Sequence, residues 1–135
     1  MDGVILTPLK KIYNPKGDIF HAMKKSDDGF SGFGEAYFSM IHKDEIKGWK
    51  KHKEMVLNLV VPLGAVEFII YNDKKQDYFN VILSTTNYQR LTIEAGLWMA
   101  FRGIEKNSML LNLASIEHNP NESESIDLKD IKYEW

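Results

Sequence analysis

Four polar side chains share one parity in an otherwise apolar stretch, KGWKKHKEMVLNLVVPLGAVEFIIYND at residues 47–73: Lys50, His52, Glu54 and Asn58. Successive side chains of a strand point to opposite faces, so a strand here sets these four on one face with Val56 and Val60. Trp49, Lys51, Lys53, Met55, Leu57 and Leu59 take the other. A face carrying amine, imidazole, carboxylate and amide among valines is expected to line a pocket. The chemistry within its reach is proton transfer. Imidazole titrates near neutrality and can take and return a proton, and a neighbouring ammonium can stabilise the oxyanion that develops. His52 is therefore the leading base and Lys50 an electrophile beside it. The competing account of His52 is a surface histidine at the lysine-rich end of a strand.

Other groups add to this set. Glu35 and Tyr37 alternate onto one face of a strand read over 32–40, where a phenol can hold a substrate oxygen; cross-strand pairing explains each singly. The chain has two arginines, Arg90 and Arg102. Either is a phosphate candidate, and Arg102, after an apolar run, could clamp a diphosphate bidentately. Trp98, close to Gly96, is read as a stacking platform for a sugar or base, with a core position as the alternative. With Glu54 and Asn58 these make up the expected binding residues. His21, His42 and His118 lie in three separate segments and do not form a metal set. The chain has no glycine-rich phosphate loop, no G-x-S-x-G elbow and no H-E-x-x-H, so catalysis must come from scattered residues.

The elements that must position these residues read as short strands. Runs at 4–6 and 10–13 are stopped by Thr7-Pro8 and Asn14-Pro15, as edge strands are, and 18–24 is read as a strand, with a short helix capped by Asp18 as the alternative. Runs at 55–61 and 65–71, joined through Pro62 and Gly64, read as an antiparallel hairpin. Strands are expected at 78–84, 89–94, 99–102 and 108–115, followed by a polar tail from Glu117. Nine or ten short strands without an amphipathic helix argue an all-β sandwich or barrel with few or no helices. A length of 135 residues without a linker is read as one domain over 1–135. The absence of cysteine removes disulfides, thiolate nucleophiles and cysteine-bound metals, and fits a cytoplasmic protein. A net charge of −2 makes a nucleic-acid binder a poor guess. No run is long enough for a membrane helix and no secretory leader is apparent.

The order GDIFHAMKKSDDGFSGFGEAYFSMIHKDEIKGWKKHKEMVLNLVVPLGAVEFIIYND, then QRLTIEAGLWMAFRGIE, then LLNLASIEHNP and YEW, resembles the cupin sugar epimerases typified by dTDP-4-dehydrorhamnose 3,5-epimerase over nearly the whole chain. It also resembles the related 3,4-ketoisomerases, whose R-G-F-H-x-H-K pattern aligns onto Lys47 to Lys53 with the second histidine kept as His52. The resemblance implies a cupin double-stranded β-helix, a jelly-roll barrel, forming a homodimer with help from its N-terminal strands. It implies a nucleotide-linked 4-keto sugar bound inside the barrel and no cofactor. The chain departs from the pattern at the first histidine, which is Lys50, and in the segment of the epimerases' catalytic tyrosine, where Glu117 and His118 stand. The positions that hold a metal in metal-dependent cupins carry Lys50, His52 and Met99, a poor donor set for a hard cation. Metal-free proton abstraction beside the ketone by His52, with Lys50 or Tyr37 at the enolate oxygen, is the expected reaction. It would act on a 4-keto-6-deoxy hexose in cell-surface polysaccharide precursor synthesis. Two other readings compete: a non-catalytic cupin that binds a sugar or nucleotide sugar, and a structural partner in a glycan-assembly complex.

Overall fold

The computed structural model describes residues 1–135. Alternating apolar and polar positions produce twelve strands and only two 3₁₀ turns. The first sheet runs in the order β1 (Val4–Pro8), β9 (Gln89–Ile93), β6 (Leu57–Leu63), β11 (Asn107–Ala114) and β4 (Glu35–His42). The second runs β12 (Ser123–Ser125), β5 (Ile46–His52), β10 (Trp98–Gly103), β7 (Ala65–Asn72) and β8 (Asp77–Ser84). A separate pair, β2 (Lys11–Ile12) and β3 (Ile19–Phe20), stands apart from both. The strands from β4 to β7 alternate between the two sheets, and so do those from β8 to β11. This is the winding of a double-stranded β-helix, and all ladder pairings are antiparallel.

The inner faces meet in one apolar core. Leu57, Leu59 and Val61 of β6 and Leu91 and Ile93 of β9 oppose Val66, Phe68 and Ile70 of β7 and Leu83 of β8. Removing this much apolar surface from water is the main source of stability. A second cluster, Trp49, Ile69, Trp98, Ala100 and Ile131, lies on the outer face of the second sheet, with Tyr133 and Trp135 packed against it. The C-terminal segment thus covers that face.

Three expectations about elements change. The runs at 55–61 and 65–71 are both strands, but they do not pair with each other, because β6 and β7 lie in different sheets. Gly64 turns the corner with φ +76°, and a Cβ there would meet Ser108 Oγ at 2.4 Å. Both the sign of φ and the close approach of β11 demand glycine. The hairpin partner of β7 is β8, with Asn72 opposite Asp77. Second, the strand read over 18–24 shrinks to the two residues of β3. Third, the tail supplies β12 and both 3₁₀ turns, Pro120–Glu122 and Leu128–Asp130.

Candidate active site

The core fills only part of the barrel. Between β4, β5, β10 and β11 the inner faces enclose a cavity of about 210 Å³. Strand β4 lends it Tyr37 and Ser39, β5 Lys47, Lys50 and His52, and β11 Asn112. Leu57 and Leu59 of β6, Met99 and Phe101 of β10 and Leu110 complete the apolar wall. The lining holds two lysines and no carboxylate.

A local irregularity brings both lysines inward. Opposite β10, Met99 pairs with Lys50 and Phe101 with Lys47, so three steps of β5 face two of β10. In a regular strand Lys47 and Lys50 would point to opposite faces; the extra residue reverses the parity, as β-bulges beside active sites do. Lys47 Nζ donates to Ser39 Oγ at 2.9 Å and to the Met40 carbonyl at 2.8 Å, and lies over the Phe101 ring. It ties β4 to β5 across the sheets. Lys50 enters no ion pair.

His52 occupies the end of β5 and hydrogen-bonds through Nδ1 to Glu122 Oε1. Glu122 is 5% exposed, a burial that demands compensation. The backbone N–H groups of Lys53, Glu54 and Met55 each donate to its Oε2 at 3.2 Å. Burial is the largest single influence on this carboxyl and pushes its pKa up. The His52 hydrogen bond and the Glu54 and Met55 amides together outweigh it and hold the pKa below the ordinary value. The carboxylate fixes the ring through Nδ1 and leaves Nε2 for the cavity side, the arrangement that orients a general base. Tyr37 Oη, 3.0 Å from Asn112 Nδ2, belongs to a half-exposed ring at the cavity edge.

Lys50, His52 and Tyr37 therefore converge on one cavity, and the other expected binding residues do not line it. The chain crosses between sheets at residues 53–56, so the face shared by Lys50 and His52 does not continue into β6. Glu54 is exposed in that crossing, and Leu57 and Leu59 take the inner positions. Asn58 points outward, where its Nδ2 donates to the Gly29 carbonyl and its Oδ1 accepts from Arg90 Nε and Thr92 Oγ1. Arg90 is fully buried and also donates to the carbonyls of Ala22 and Asp28 and to Asp27 Oδ2. It anchors the 22–29 segment and leaves no edge for a phosphate. Trp98 and Arg102 share the outward parity of β10. Trp98 is buried in the outer cluster with Nε1 donating to Asp73, and Arg102 sits 3.4 Å from Glu67 on β7. Glu35 starts β4 opposite Ala114, at the edge of the barrel. Glu117 and His118 are exposed beyond β11.

Sequence reasoning missed Glu122, Lys47, Ser39 and Asn112. Ser39 shares the face assigned to Tyr37 and was open to detection. Lys47 is hidden by the bulge, and Glu122 meets His52 across 70 positions from a tail whose polarity gives no hint of burial.

A family model described as FdtA: WxcM-like, C-terminal, matches residues 2–128. Among solved structures, a dTDP sugar isomerase from Desulfovibrio desulfuricans G20 superposes with a TM-score of 0.90 at 28% identity, over 94% of this chain and 85% of that one. A mutant of the 3,4-ketoisomerase QdtA from Thermoanaerobacterium thermosaccharolyticum, in complex with TDP-4-keto-6-deoxyglucose, gives 0.80 at 21%, over 91% and 87%. The rmlC epimerase of Mycobacterium tuberculosis gives 0.81 at 15%, over 93% and 69%. The last two likenesses speak for the fold alone. Curated proteins offer no match.

Proposed function

The chain belongs to the FdtA family, WxcM-like C-terminal, and from that premise we propose that it isomerises a nucleotide-linked 4-keto-6-deoxy hexose, as an epimerase or a 3,4-ketoisomerase. The observation that carries this reading is His52, lining the cavity beside Lys50 and Tyr37 and held from outside the lining by the Glu122 carboxylate. His52 Nε2 removes a proton from a carbon next to the ketone. Lys50 and the Tyr37 hydroxyl stabilise the enolate oxygen, and a proton returned to the opposite face or the adjacent atom gives epimer or isomer. The cavity is smaller than the ~300–1,000 Å³ of drug-sized sites. It suits the sugar ring, with the nucleotide along the mouth. Two ammonium groups and an imidazole already bound to a carboxylate suit a divalent cation poorly, so the reaction is read as metal-free.

We further read the protein as a cytoplasmic homodimer that serves polysaccharide precursor synthesis. Phe38, Met40 and Leu63 are exposed on the outer face of the first sheet, where Phe38 pairs with Leu111 and Met40 with Met109. The β2–β3 pair exposes Ile12 and Ile19 as well. A second copy would cover such surface.

The test is incubation in heavy water with dTDP-4-keto-6-deoxyglucose, followed by proton NMR. Deuterium at C3, C5 or both of a 4-keto product is the outcome expected of an epimerase and deuterium at C4 of a 3-keto product that of a ketoisomerase, so the position separates the two chemistries. Lys50, standing where the ketoisomerases carry their first histidine, favours a second reading, a cupin that binds the nucleotide sugar without turnover. Binding with no exchange would select it.

A further inference from the structure

Asn112 is 1% exposed and yet lines the cavity. Its Nδ2 donates to Tyr37 Oη, whereas its Oδ1 is buried without any hydrogen-bond partner. Buried polar atoms in native proteins are almost always paired, and one that is not asks for a donor from outside the fold. No donor in the wall reaches it: Leu59, opposite Asn112 on β6, Leu110, Met99 and Phe101 are apolar, Lys47 Nζ is held by Ser39 and the Met40 carbonyl, and Lys50, in the same lining, makes no hydrogen bond to it.

We propose that Asn112 determines specificity by accepting a hydrogen bond from a ring hydroxyl of the bound sugar. The same side chain positions Tyr37. Because Nδ2 donates to the phenolic oxygen, the phenol's own hydrogen is left to point at the ligand's carbonyl or enolate oxygen. One carboxamide thus serves both ends of an α-hydroxy ketone, with the hydroxyl on Oδ1 and the ketone oxygen on the hydrogen that Nδ2 leaves free. The ligand class it selects is a sugar with a hydroxyl close to its carbonyl, against a deoxygenated counterpart. A site built around a substrate hydroxyl discriminates against the analogue that lacks it, since the acceptor is then left unpaired.

This inference rests on the proposed nucleotide-sugar ligand, and the experiment keeps the two apart. Calorimetry would compare dTDP-4-keto-6-deoxyglucose, its 2-deoxy and 3-deoxy counterparts and dTDP alone, on the natural chain and on Asn112→Ala and Asn112→Asp. The natural chain is expected to bind the hydroxylated sugar about tenfold more tightly than one of the deoxy sugars. Asn112→Ala should reduce that ratio to about twofold or less with dTDP binding unchanged, and Asn112→Asp, which keeps an acceptor, should retain the preference. An undiminished preference in Asn112→Ala, or none in the natural chain, overturns the role of Asn112 while the functional reading stands. Failure of the natural chain to bind any of the four overturns the functional reading and this inference with it. If Asn112→Ala does not fold, as a melting curve would reveal, loss of the preference in Asn112→Asp overturns the proposal.

Discussion

Two asparagines in neighbouring strands of the first sheet are equally buried and differently used. Asn58 on β6 faces outward and has both ends of its amide satisfied, by Gly29, Arg90 and Thr92. Asn112 on β11 faces inward with one end satisfied and the other open. The first belongs to a closed network that pins a loop to the sheet, and the second to a wall with capacity left for a visitor. Burial and polarity alone do not tell these two residues apart; the count of their unfilled hydrogen bonds does.

On the open side of this contrast the largest effect is expected at His52. His52→Asn is expected to lower solvent-proton exchange by about 10²–10⁴-fold while nucleotide-sugar binding persists, measured by NMR in heavy water. Full exchange in that variant would sink the assignment. On the closed side, Arg90→Met removes the cation of a buried network and leaves Asp27 and Asn58 without it. An unfolding loss of about 3–5 kcal/mol is expected in urea titrations, with exchange by the folded fraction unaltered. Asn58→Ala, which strips Arg90 Nε and Thr92 of their acceptor, should lose about 1–3 kcal/mol. The smallest effect separates the networks by pH. The Glu122 carboxyl is held below its ordinary value in the folded chain, so its contribution is present at neutral pH and is lost as the pH falls through the folded pKa. Glu122→Gln should therefore show a flatter acid limb of stability than the natural chain, followed by melting temperature between pH 7 and pH 3. Parallel acid limbs would show that the pairing contributes nothing to folding.

The fold was legible because strand signals are local: parity within 55–61 and 65–71 and turn residues between runs suffice to mark strands. What those runs pair with was not legible, since Gly64 serves a hairpin or a corner equally well until Ser108 is seen beside it. At the site, His52, Lys50 and Tyr37 were found by residue type and parity inside single strands. Strand parity continued through residues 53–56 puts Asn58 on the face of His52, but there the chain leaves one sheet for the other and Asn58 turns outward. Trp98 and Arg102 were chosen for their chemistry, although the alternation of β10 gives its inward positions to Met99 and Phe101. Glu122 had no local signal, since its burial exists only when three amides of a distant crossing close around it.

That crossing bears on how the protein assembles as it is made. His52 leaves the ribosome 70 residues ahead of Glu122, and at about 5–20 residues per second the imidazole waits roughly 4–14 s for its carboxylate. Throughout that interval the three amides at residues 53–55 have no anion to hold. The imidazole and the three amides therefore acquire their shared carboxylate only once the segment beyond β11 has been made and has folded back onto the crossing.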